Sequence, residues 1–530
     1  MLQNLPPHTP LRRRALLLRS LGLASSAMLV AACSGVELPS QSPPVAQPTG
    51  PRRGGGLRIS QSSDIAPPGM PHLINPFNFV LYPLVYDTLL AYDAQLQPRP
   101  RLATSWQWSA DARQITLQLR QGVKFHSGGP LTSVEIKTNL EHLRDPTVGS
   151  QWMSYANQMQ IDASDPATLV INFDAPSKSS LDALASTFIA DPATLDSTKF
   201  VGTGPFRFRE WIQGDHLTFD RNPDYWQPGK PYVDEVVLQV QPDLQSSLIG
   251  LESGSLDWLR NVAGNDARRL QADPTYQVLE TGSGGNSFVV VMLDTSVPAL
   301  ADRRVRQAFS YAVNRQRMVD SALAGYGRPA STCWPPQALG YDASQDHMYS
   351  YDLDQARQLL QTVGWDPQTR VPLLVASEFP ATIAMAEIYQ ADLQQIGINA
   401  AMEIKSGAET LNLLRKKLVG GAMFSPMGSM NLSPATFFTS NIYARVPNPS
   451  NFTSTQYTDL IAQTLTATDD QQLKRVVHDL TQLMLDEAFL IPIAETLGGA
   501  DGPGVARANL KNIGWNNYGM YAFEDVWVEQ

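Results

Sequence analysis

The chain of 530 residues is long enough for about three packing units or two large lobes, at roughly 100 to 200 residues per domain. Hydrophobic residues make up 43% and charged residues 17%, which is typical of a globular protein and excludes a disordered, collagen-like or polytopic membrane chain. The net charge of −10 argues against the basic surface that nucleic-acid binding needs. Two cysteines, Cys33 and Cys333, are too few for a disulfide framework.

The N-terminal residues have the layout of an export signal. Three arginines at 12–14 precede an apolar run that contains no acid or base and ends at Ala32. The sequence VAAC at residues 30–33 resembles a bacterial lipobox, so residues 1–32 are expected to be cleaved as a signal peptide and Cys33 to carry a diacylglycerol. The alternative is a cysteine that happens to follow alanines. The arginines fit twin-arginine and Sec export equally, and the sequence leaves that choice open.

Residues 33–56 are predicted to form a tether. This segment is rich in proline and glycine, a composition that cannot pack a core, and its mean reach is on the order of 25 to 30 Å. Loss of the four arginines of the signal would make the net charge more negative than −10. We expect an acidic globular body held near a membrane by lipid at Cys33.

The remaining chain shows the alternating patterns of a mixed α/β fold. Polar and apolar residues alternate over 114–120, which predicts a strand with one wet face, and Thr132 with Glu135 forms a capping box that begins a helix ending near Leu143. Residues 371–404 predict a βαβ unit. Further strands are predicted at 57–60, 168–173, 216–221, 233–241, 276–281, 286–294 and 489–494, and further helices at 302–312, 315–323, 354–362, 407–417 and 470–486.

The helix predicted at 302–312 has an amphipathic pattern. Its apolar residues, among them Val305 and Phe309, recur at spacings of three and four and are expected to form a buried stripe. The arginines of this helix are expected to face solvent.

No motif for catalysis, cofactor binding or metal binding is found in the sequence. The seven histidines are never three or four residues apart, so a local metal-binding pair is missing. The nucleophile elbow, the dinucleotide loop and the phosphate loop are also missing. His126 beside Ser127 favours a turn over a catalytic pair. We therefore expect no catalytic residue, no cofactor and no metal.

Five segments with characteristic sequences follow one another along the body. The longest runs from PRLATSW at residue 100 to LRQGVKFHSGGPLT ending at residue 132, and the others are VYDTL at 85–89, GTGPF at 202–206, RNPDYW at 221–226 and DRRVRQAF at 302–309. Together they closely resemble the extracytoplasmic solute-binding proteins of ABC importers, in the family that serves dipeptides, oligopeptides, nickel complexes and related solutes. The resemblance covers residue 57 to the C-terminus. Most of the motifs, including Trp226, are expected to be structural.

The resemblance implies an α/β fold of two lobes, the periplasmic-binding-protein clamp, with an extra subdomain in lobe I. Lobe I is expected at 57–290 plus 496–530, with the subdomain at about 75–200, and lobe II at 291–495. A solute would bind between the lobes, and hinge closure would bury it.

The resemblance also implies the function and the partners. We expect a monomeric lipoprotein, periplasmic or at the cell surface, that captures a peptide-like or other small organic solute and delivers it to the permease and ATPase subunits of an ABC importer. No chemistry on the solute is expected. The alternatives are a secreted hydrolase that retains the clamp fold, which would turn its solute over, and a sensor or chaperone-like use of the same lobes.

Ligand contacts in the clamp fold are expected from loops that end strands at the lobe boundary. The candidates are Ser62 and Asp64 after the first strand, Gly285 and Asn286 before the crossover strand, and Trp334. Each has a structural alternative, since Asp64 can cap a turn and Trp334 can shield a loop. Trp334 is favoured because its ring offers contact area and a polar N–H.

The predicted ligand class rests on a departure from the family. Peptide-binding members commonly place a Trp-x-x-Asp pattern in lobe II, where the aspartate pairs with the α-ammonium group of the peptide. Here none of the 49 residues from Thr410 to Thr458 is acidic, and a buried ammonium without a counter-charge is costly. The candidates for ligand contact in this segment are Phe424, Ser425, Met427, Met430, Asn431 and Phe437.

Ser433 is a candidate helix cap, and the amides that follow it could receive a carboxylate or another anion. We therefore expect a preference for a neutral, N-blocked or acidic organic solute over di- and tripeptides with a free amino terminus. The alternative is that this loop faces solvent and that a carboxylate from elsewhere, such as Asp64, takes over the role.

Overall fold

The computed structural model describes residues 50–62, 64–65, 72, 80–93, 95–280, 287–428, 433–467, 469–497, 502–514 and 520–529. The predicted signal peptide, Cys33 and the tether before residue 50 lie outside these residues. Residues 51–530 form one compact unit with three large sheets. Within the described ranges, no helix is long and apolar enough to cross a membrane.

The first sheet has seven strands and a parallel centre. Gly56–Gln61 pairs in parallel with Glu235–Val240 on one side and with Trp258–Leu259 on the other. Ile59 and Ser60 point to opposite faces and are both buried, as in parallel sheets covered on both sides. In spatial order the strands are Tyr276–Leu279, Gly504–Arg507, Trp258–Leu259, Gly56–Gln61, Glu235–Val240, His216–Arg221 and Phe206–Ile212.

The second sheet is antiparallel and confirms two sequence predictions. Ile115 and Leu117 are buried while the residues between them are not, which is the predicted alternation. Helix Ser133–His142 begins at the predicted capping box, where the Glu135 carboxylate accepts the Thr132 backbone N–H at 2.8 Å. In spatial order the strands are Ala103–Trp108, Gln114–Leu119, Thr168–Asn172 and Gln160–Asp165.

The third sheet has six strands and contains the predicted βαβ unit. Arg370–Ala376 and Asn399–Lys405 pair in parallel and are connected by helix Pro380–Gln395. Strand Ser287–Leu293 pairs antiparallel on both sides, and the predicted end of lobe I at residue 290 falls inside it. In spatial order the strands are Gly327–Pro329, Leu490–Thr496, Ser287–Leu293, Ala422–Met427, Arg370–Ala376 and Asn399–Lys405.

The third sheet is covered on both faces. Val289 and Val291 belong to a core on one face, and Phe288 and Val290 belong to a core on the other. We call the first two sheets with their helices the first lobe, and the third sheet with its helices the second lobe. The predicted domain boundaries stay predictions.

Helices and short elements surround the sheets. In the first lobe the helices are Leu81–Val85, Ser133–His142, Met153–Ala156, Ser180–Ser186, Leu244–Ser253 and Gly264–Gln271. In the second lobe they are Arg303–Tyr311, Arg315–Ala322, Ala343–Asp346, Leu353–Thr362, Pro380–Gln395, Gly407–Lys416, Pro434–Ser440, Thr455–Thr466 and Asp470–Glu487. Two-stranded sheets join Leu90–Tyr92 to Pro98–Pro100 and Leu510–Lys511 to Trp527–Val528.

One predicted orientation is wrong. Helix Arg303–Tyr311 buries the expected apolar stripe, but Arg306, which was expected to face solvent, is only 2% exposed. Its guanidinium donates to the backbone carbonyl of Glu487 at 2.6 Å and to the carboxylate of the same residue at 2.8 Å. Two further backbone carbonyls accept from it. Because its hydrogen bonds are satisfied, the charge can lie inside the second lobe.

Several of the characteristic sequence motifs meet at one buried carboxylate, Asp87, which is 1% exposed. Its hydrogen-bond donors are Arg101 at 2.6 Å, Tyr225 at 3.2 Å, Thr203 at 3.0 Å and Trp226 at 2.8 Å. Burial raises the pKa of Asp87, and the charge of Arg101 acts in the opposite direction. This network agrees with the structural role expected for Trp226.

The glycine-rich motif at 202–206 packs directly on the chain before Asp87. The N–H of Gly204 donates to the carbonyl of Val85 at 2.9 Å. A Cβ atom at Gly202 would lie 2.2 Å from that carbonyl oxygen, and a Cβ at Gly204 would lie 2.5 Å from the Val85 carbonyl carbon. Both glycines are therefore required by close approach of the backbone.

We predict that Gly204→Ala lowers the free energy of unfolding by about 1 to 3 kcal/mol, because the added methyl group has to displace backbone atoms. Denaturant titration of the purified chain measures this. Gly129→Ala is the matched control, since the nearest atom to its added Cβ would be 3.9 Å away. Equal stability of the two variants would contradict the prediction.

His126 closes the turn of the longest motif onto the same glycines. Its Nε2 is 3.0 Å from the carbonyl oxygen of Gly204, and its Nδ1 is 3.4 Å from the backbone nitrogen of Gly202. These contacts assign the neutral tautomer, in which Nε2–H donates and Nδ1 accepts. Burial lowers the pKa of His126 to about 4, and the hydrogen bond to Gly204 opposes that shift.

This pKa predicts a loss of stability in acid. Between the ordinary histidine pKa and about 4 the unfolded chain binds a proton that folded His126 does not, so stability falls as the pH drops through this window. We expect His126 to account for about 3 kcal/mol of this loss. Denaturant titrations across the window should show a shallower pH dependence for His126→Gln. His347→Gln, at an exposed position, should leave the wild-type slope unchanged.

Candidate functional site

The first lobe presents the carboxyl ends of its parallel strands at one edge of the seven-stranded sheet. Gly56–Gln61, Glu235–Val240 and Trp258–Leu259 run in the same direction, so Ser62, Gln241 and Arg260 follow them at that edge. The N–H of Gln241 donates to the carbonyl of Gln61 at 2.8 Å, which ties two of these ends together. Open α/β sheets bind ligands beyond such ends.

The second lobe presents a corresponding edge. Arg370–Ala376 and Ala422–Met427 are parallel and end there, while Ser287–Leu293 begins there, with Phe288 opposite Met427. Leu490–Thr496 ends at the same edge, because Thr496 lies opposite Ser287.

Two chain crossings connect the edges of the two lobes. One leads from the end of Tyr276–Leu279 to the start of Ser287–Leu293, and the other leads from the end of Leu490–Thr496 to the start of Gly504–Arg507. In the first lobe Leu279 pairs with Gly504, so both crossings leave from one point. The space between the two edges is therefore the candidate binding site.

The first-lobe edge carries polar groups without partners. The buried Nε of Arg260 and the buried Oε1 of Gln241 have no hydrogen-bond partner in the part of the chain that the structure describes. Arg260 lies over the ring of Tyr521, 5.9 Å from its centroid. Burial raises the pKa of Tyr521 to about 12, and Arg260 acts against that shift. These groups form an unmatched donor and an unmatched acceptor for a solute.

Ser62 and Asp64 lie after the first strand as predicted, but Asp64 is engaged by the protein. Its Oδ1 accepts from the indole of Trp211 at 2.9 Å and from the N–H of Ile65 at 2.7 Å, and its Oδ2 accepts the N–H of Gly214 at 2.7 Å. This is the turn-capping role named as the alternative. Ser62 is exposed at the strand end.

Trp334 lies in a core of the second lobe. It is 2% exposed, its indole N–H donates to Thr481 Oγ1 at 2.9 Å, and its ring packs edge-on against Phe437 and Phe438. This placement argues against the predicted ligand contact, because both the ring and its polar atom already have protein partners. The contact itself stays a prediction.

The other second-lobe candidates divide into buried and partly exposed residues. Phe424, Met427 and Phe437 are each at most 1% exposed, and Phe424 packs on Tyr389. Apolar packing in the two cores explains these positions and argues against direct contact with solute. Ser425 is partly exposed, with its hydroxyl 2.9 Å from that of Tyr443.

Four predicted contact residues, Gly285, Asn286, Met430 and Asn431, lie outside the described residues. The described residues that flank them, Ser287 and Ser433, begin elements of the second lobe. Ser433 caps helix Pro434–Ser440 as predicted, since its side chain accepts the backbone N–H of Thr436 at 3.2 Å.

Sequence reasoning missed Asp182, which reaches the second lobe from the first. Its carboxylate accepts a hydrogen bond from the hydroxyl of Thr436 and another from Tyr92 at 2.7 Å. A separation of 254 residues between Asp182 and Thr436 hides this contact in the sequence. Asp182 thus engages a side-chain hydroxyl of the capped helix, and the binding of a solute anion by the amides of this helix stays a prediction.

Metal binding finds no support at this cleft. In the described ranges, no group of three or more His, Cys, Asp or Glu side chains could hold a metal ion. The only described cysteine, Cys333, is buried with a raised thiol pKa because burial disfavours the thiolate.

Two lobes joined by two chain crossings form the predicted two-lobed clamp, and solved structures confirm this fold. The periplasmic binding protein DppA from Helicobacter pylori, in complex with peptide STSA, superposes with a TM-score of 0.79 at 22% identity over 90% of this chain and 99% of that chain. AgaA from A. tumefaciens R10, in complex with agropinic acid, gives 0.77 at 23% identity over 90% and 99%.

The family follows from the sequence itself. Residues 97–458 match the family described as bacterial extracellular solute-binding proteins, family 5 Middle, so this chain belongs to the family 5 extracellular solute-binding proteins. The nickel-binding periplasmic protein of Escherichia coli K12 is 28% identical over 469 residues, which are 80% of this chain and 86% of that protein. These likenesses support solute binding and not the alternative of a secreted hydrolase.

Proposed function

We propose that this chain is an exported, lipid-anchored receptor of an ABC importer. It takes up a small organic solute in the cleft between its lobes and presents it, as a monomer and without chemical change, to the permease and ATPase. Membership of the family 5 extracellular solute-binding proteins, together with two lobes that are joined by two crossings at the carboxyl ends of their strands, supports this proposal. DppA from Helicobacter pylori, an ABC transporter-associated binding protein, supports the proposed class of partner.

The charges around the cleft favour a solute without a free ammonium group. Arg260 forms no ion pair with any carboxylate that the structure describes. Asp64 and Asp182 are occupied by hydrogen bonds from the protein. Glu280, at the first crossing, is exposed, so water solvates it.

The same charges favour a neutral or acidic solute. An ammonium entering this cleft would lose water without gaining a buried counter-charge, whereas a carboxylate could accept from the unpartnered Nε of Arg260. AgaA, which was solved with an acidic organic solute, shows that this fold accommodates such ligands.

We predict that an N-acetylated dipeptide or a small dicarboxylate binds more tightly than alanylalanine with its free amine. Calorimetric titration of the purified chain measures this directly. Micromolar binding of alanylalanine, which corresponds to about −8 kcal/mol, would contradict the proposed solute class while leaving solute binding intact.

The variant Arg260→Gln tests the role of the Arg260 guanidinium, whose Nε has no partner, in the same titration. This variant should bind an acidic solute about tenfold to hundredfold more weakly than the wild type, because a charge-assisted hydrogen bond is lost. Arg113→Gln is the control, since Arg113 is exposed and lies away from this edge on the four-stranded sheet.

We predict that Cys33→Ser blocks lipid attachment and leaves the precursor uncleaved before residue 33. Mass spectrometry and membrane fractionation of cells that express the full chain measure both effects. Cys333→Ser, at the buried second cysteine, should be processed and anchored like the wild type. Normal processing and unchanged membrane association of Cys33→Ser would rule out the anchor without affecting the proposed solute binding.

A further inference from the structure

The two lobes touch at more than one place. Tyr326 of the second lobe donates its hydroxyl to Gln271 of the first lobe at 2.8 Å, and a separate contact is made by helix Pro434–Ser440, which we call the clasp helix. Thr436 and Thr439 lie three residues apart and so project from one face of this helix. Both hydroxyls meet side chains of the first lobe: Thr436 reaches Asp182, and Thr439 Oγ1 lies 3.0 Å from the hydroxyl of Tyr155. The contact is polar and is made on one side by hydroxyl groups.

Asp182 is the charged centre of this contact. It lies in helix Ser180–Ser186, is 1% exposed, and is held on its own side by Tyr92. Burial raises its pKa, and hydrogen bonds from Ser433, Thr436 and Tyr92 act in the opposite direction. None of the basic side chains described by the structure forms an ion pair with it.

A chain of hydroxyl groups continues from Asp182 into the second lobe. Ser433 caps the clasp helix, and its hydroxyl donates to that of Thr436 at 3.1 Å, which in turn donates to Asp182. Hydrogen bonds in such a series strengthen one another. A buried carboxylate is costly without these donors. Separation of the lobes would therefore have to replace them with water.

These contacts suit an interaction that can be broken. Tyr92 lies on the same lobe as Asp182 and stays when the lobes part, whereas the donors from Ser433 and Thr436 leave. The carboxylate can be satisfied by the clasp helix when the lobes are together or by water when they are apart. An element with two satisfied arrangements is what a hinged two-state protein needs.

We propose that Asp182 is a positioning residue that holds the clasp helix against the first lobe and thereby sets the closed arrangement of the lobes. The proposal concerns the protein without solute and holds whichever solute the cleft takes. The contact of Asp182 with the clasp helix depends on the hydroxyl of Thr436 as the donor. The pair Tyr155 and Thr439 provides a second point of contact.

The test compares Thr436→Val, which keeps the shape but removes the hydroxyl, with Thr436→Ser, which keeps the hydroxyl. Hydrogen–deuterium exchange and small-angle X-ray scattering are measured on the full-length chain without solute. In Thr436→Val the amides of the clasp helix should exchange about threefold to tenfold faster, and the radius of gyration should rise. Exchange in strand Ser287–Leu293 should stay at the wild-type rate.

Rescue and control variants separate this role from general destabilisation. Thr436→Ser should restore wild-type exchange and radius, and Thr458→Val, at an exposed threonine of the same lobe, should change neither. Asp182→Asn and Tyr92→Phe change the same contact from the side of the first lobe. These two variants replace Thr436→Val in the test if Thr436→Val does not fold. Wild-type exchange and radius in the folded variants at Thr436 and Asp182, or a Thr436→Ser variant that behaves like Thr436→Val, would overturn the proposal.

Discussion

The buried carboxylate of Asp87 is the interaction on which the first lobe depends. Arg101 neutralises it, and the same guanidinium donates to Glu524 near the C-terminus at 2.6 Å, so one ion network joins distant parts of the chain. Removing one partner of a buried pair typically costs about 3 to 5 kcal/mol, because the remaining charge is left without compensation. The donors to Asp87 come from several of the family's motifs, which explains why those motifs identify the fold and say little about the solute.

This network also fixes the geometry from which the cleft is built. Thr203 donates to Asp87, and the glycines on either side of Thr203 pack against the backbone of Val85, so the glycine-rich turn cannot shift without disturbing the charge. Strand Phe206–Ile212 follows that turn and belongs to the sheet whose carboxyl edge carries Arg260. The glycine-rich turn is thus fixed on the chain that carries Asp87, and the strand that follows this turn is placed by it.

Local patterns predicted many of the longer strands and helices but missed others, such as helices Leu244–Ser253 and Thr455–Thr466. The side-chain contacts that were missed are long-range ones. The capping box at Thr132 and the βαβ unit are written in neighbouring residues, and both are confirmed. The helix cap at Ser433 was also predicted from local sequence. The hydrogen bond between Thr436 of that helix and Asp182 was not predicted, because Asp182 comes from the other lobe. The burial of Arg306 and Trp334 was not predicted for the same reason. Their hydrogen-bond partners, Glu487 and Thr481, are more than a hundred residues away in the sequence.

Asp87 and Asp182, both buried carboxylates, differ in their hydrogen-bond partners in a way that matches their positions. Asp87 faces the guanidinium of Arg101 within its own lobe, and the hydrogen-bond donors described above all belong to that lobe. Asp182 faces hydroxyl groups, part of them from across the cleft, and each hydrogen bond to a charged group is worth about 1.5 to 3 kcal/mol net. The arrangement around Asp87 suits a permanent scaffold, because breaking it would leave a buried charge without its counter-charge. The arrangement around Asp182 can exchange protein donors for water at a cost of a few kcal/mol, which is within reach of the binding energy of a micromolar solute.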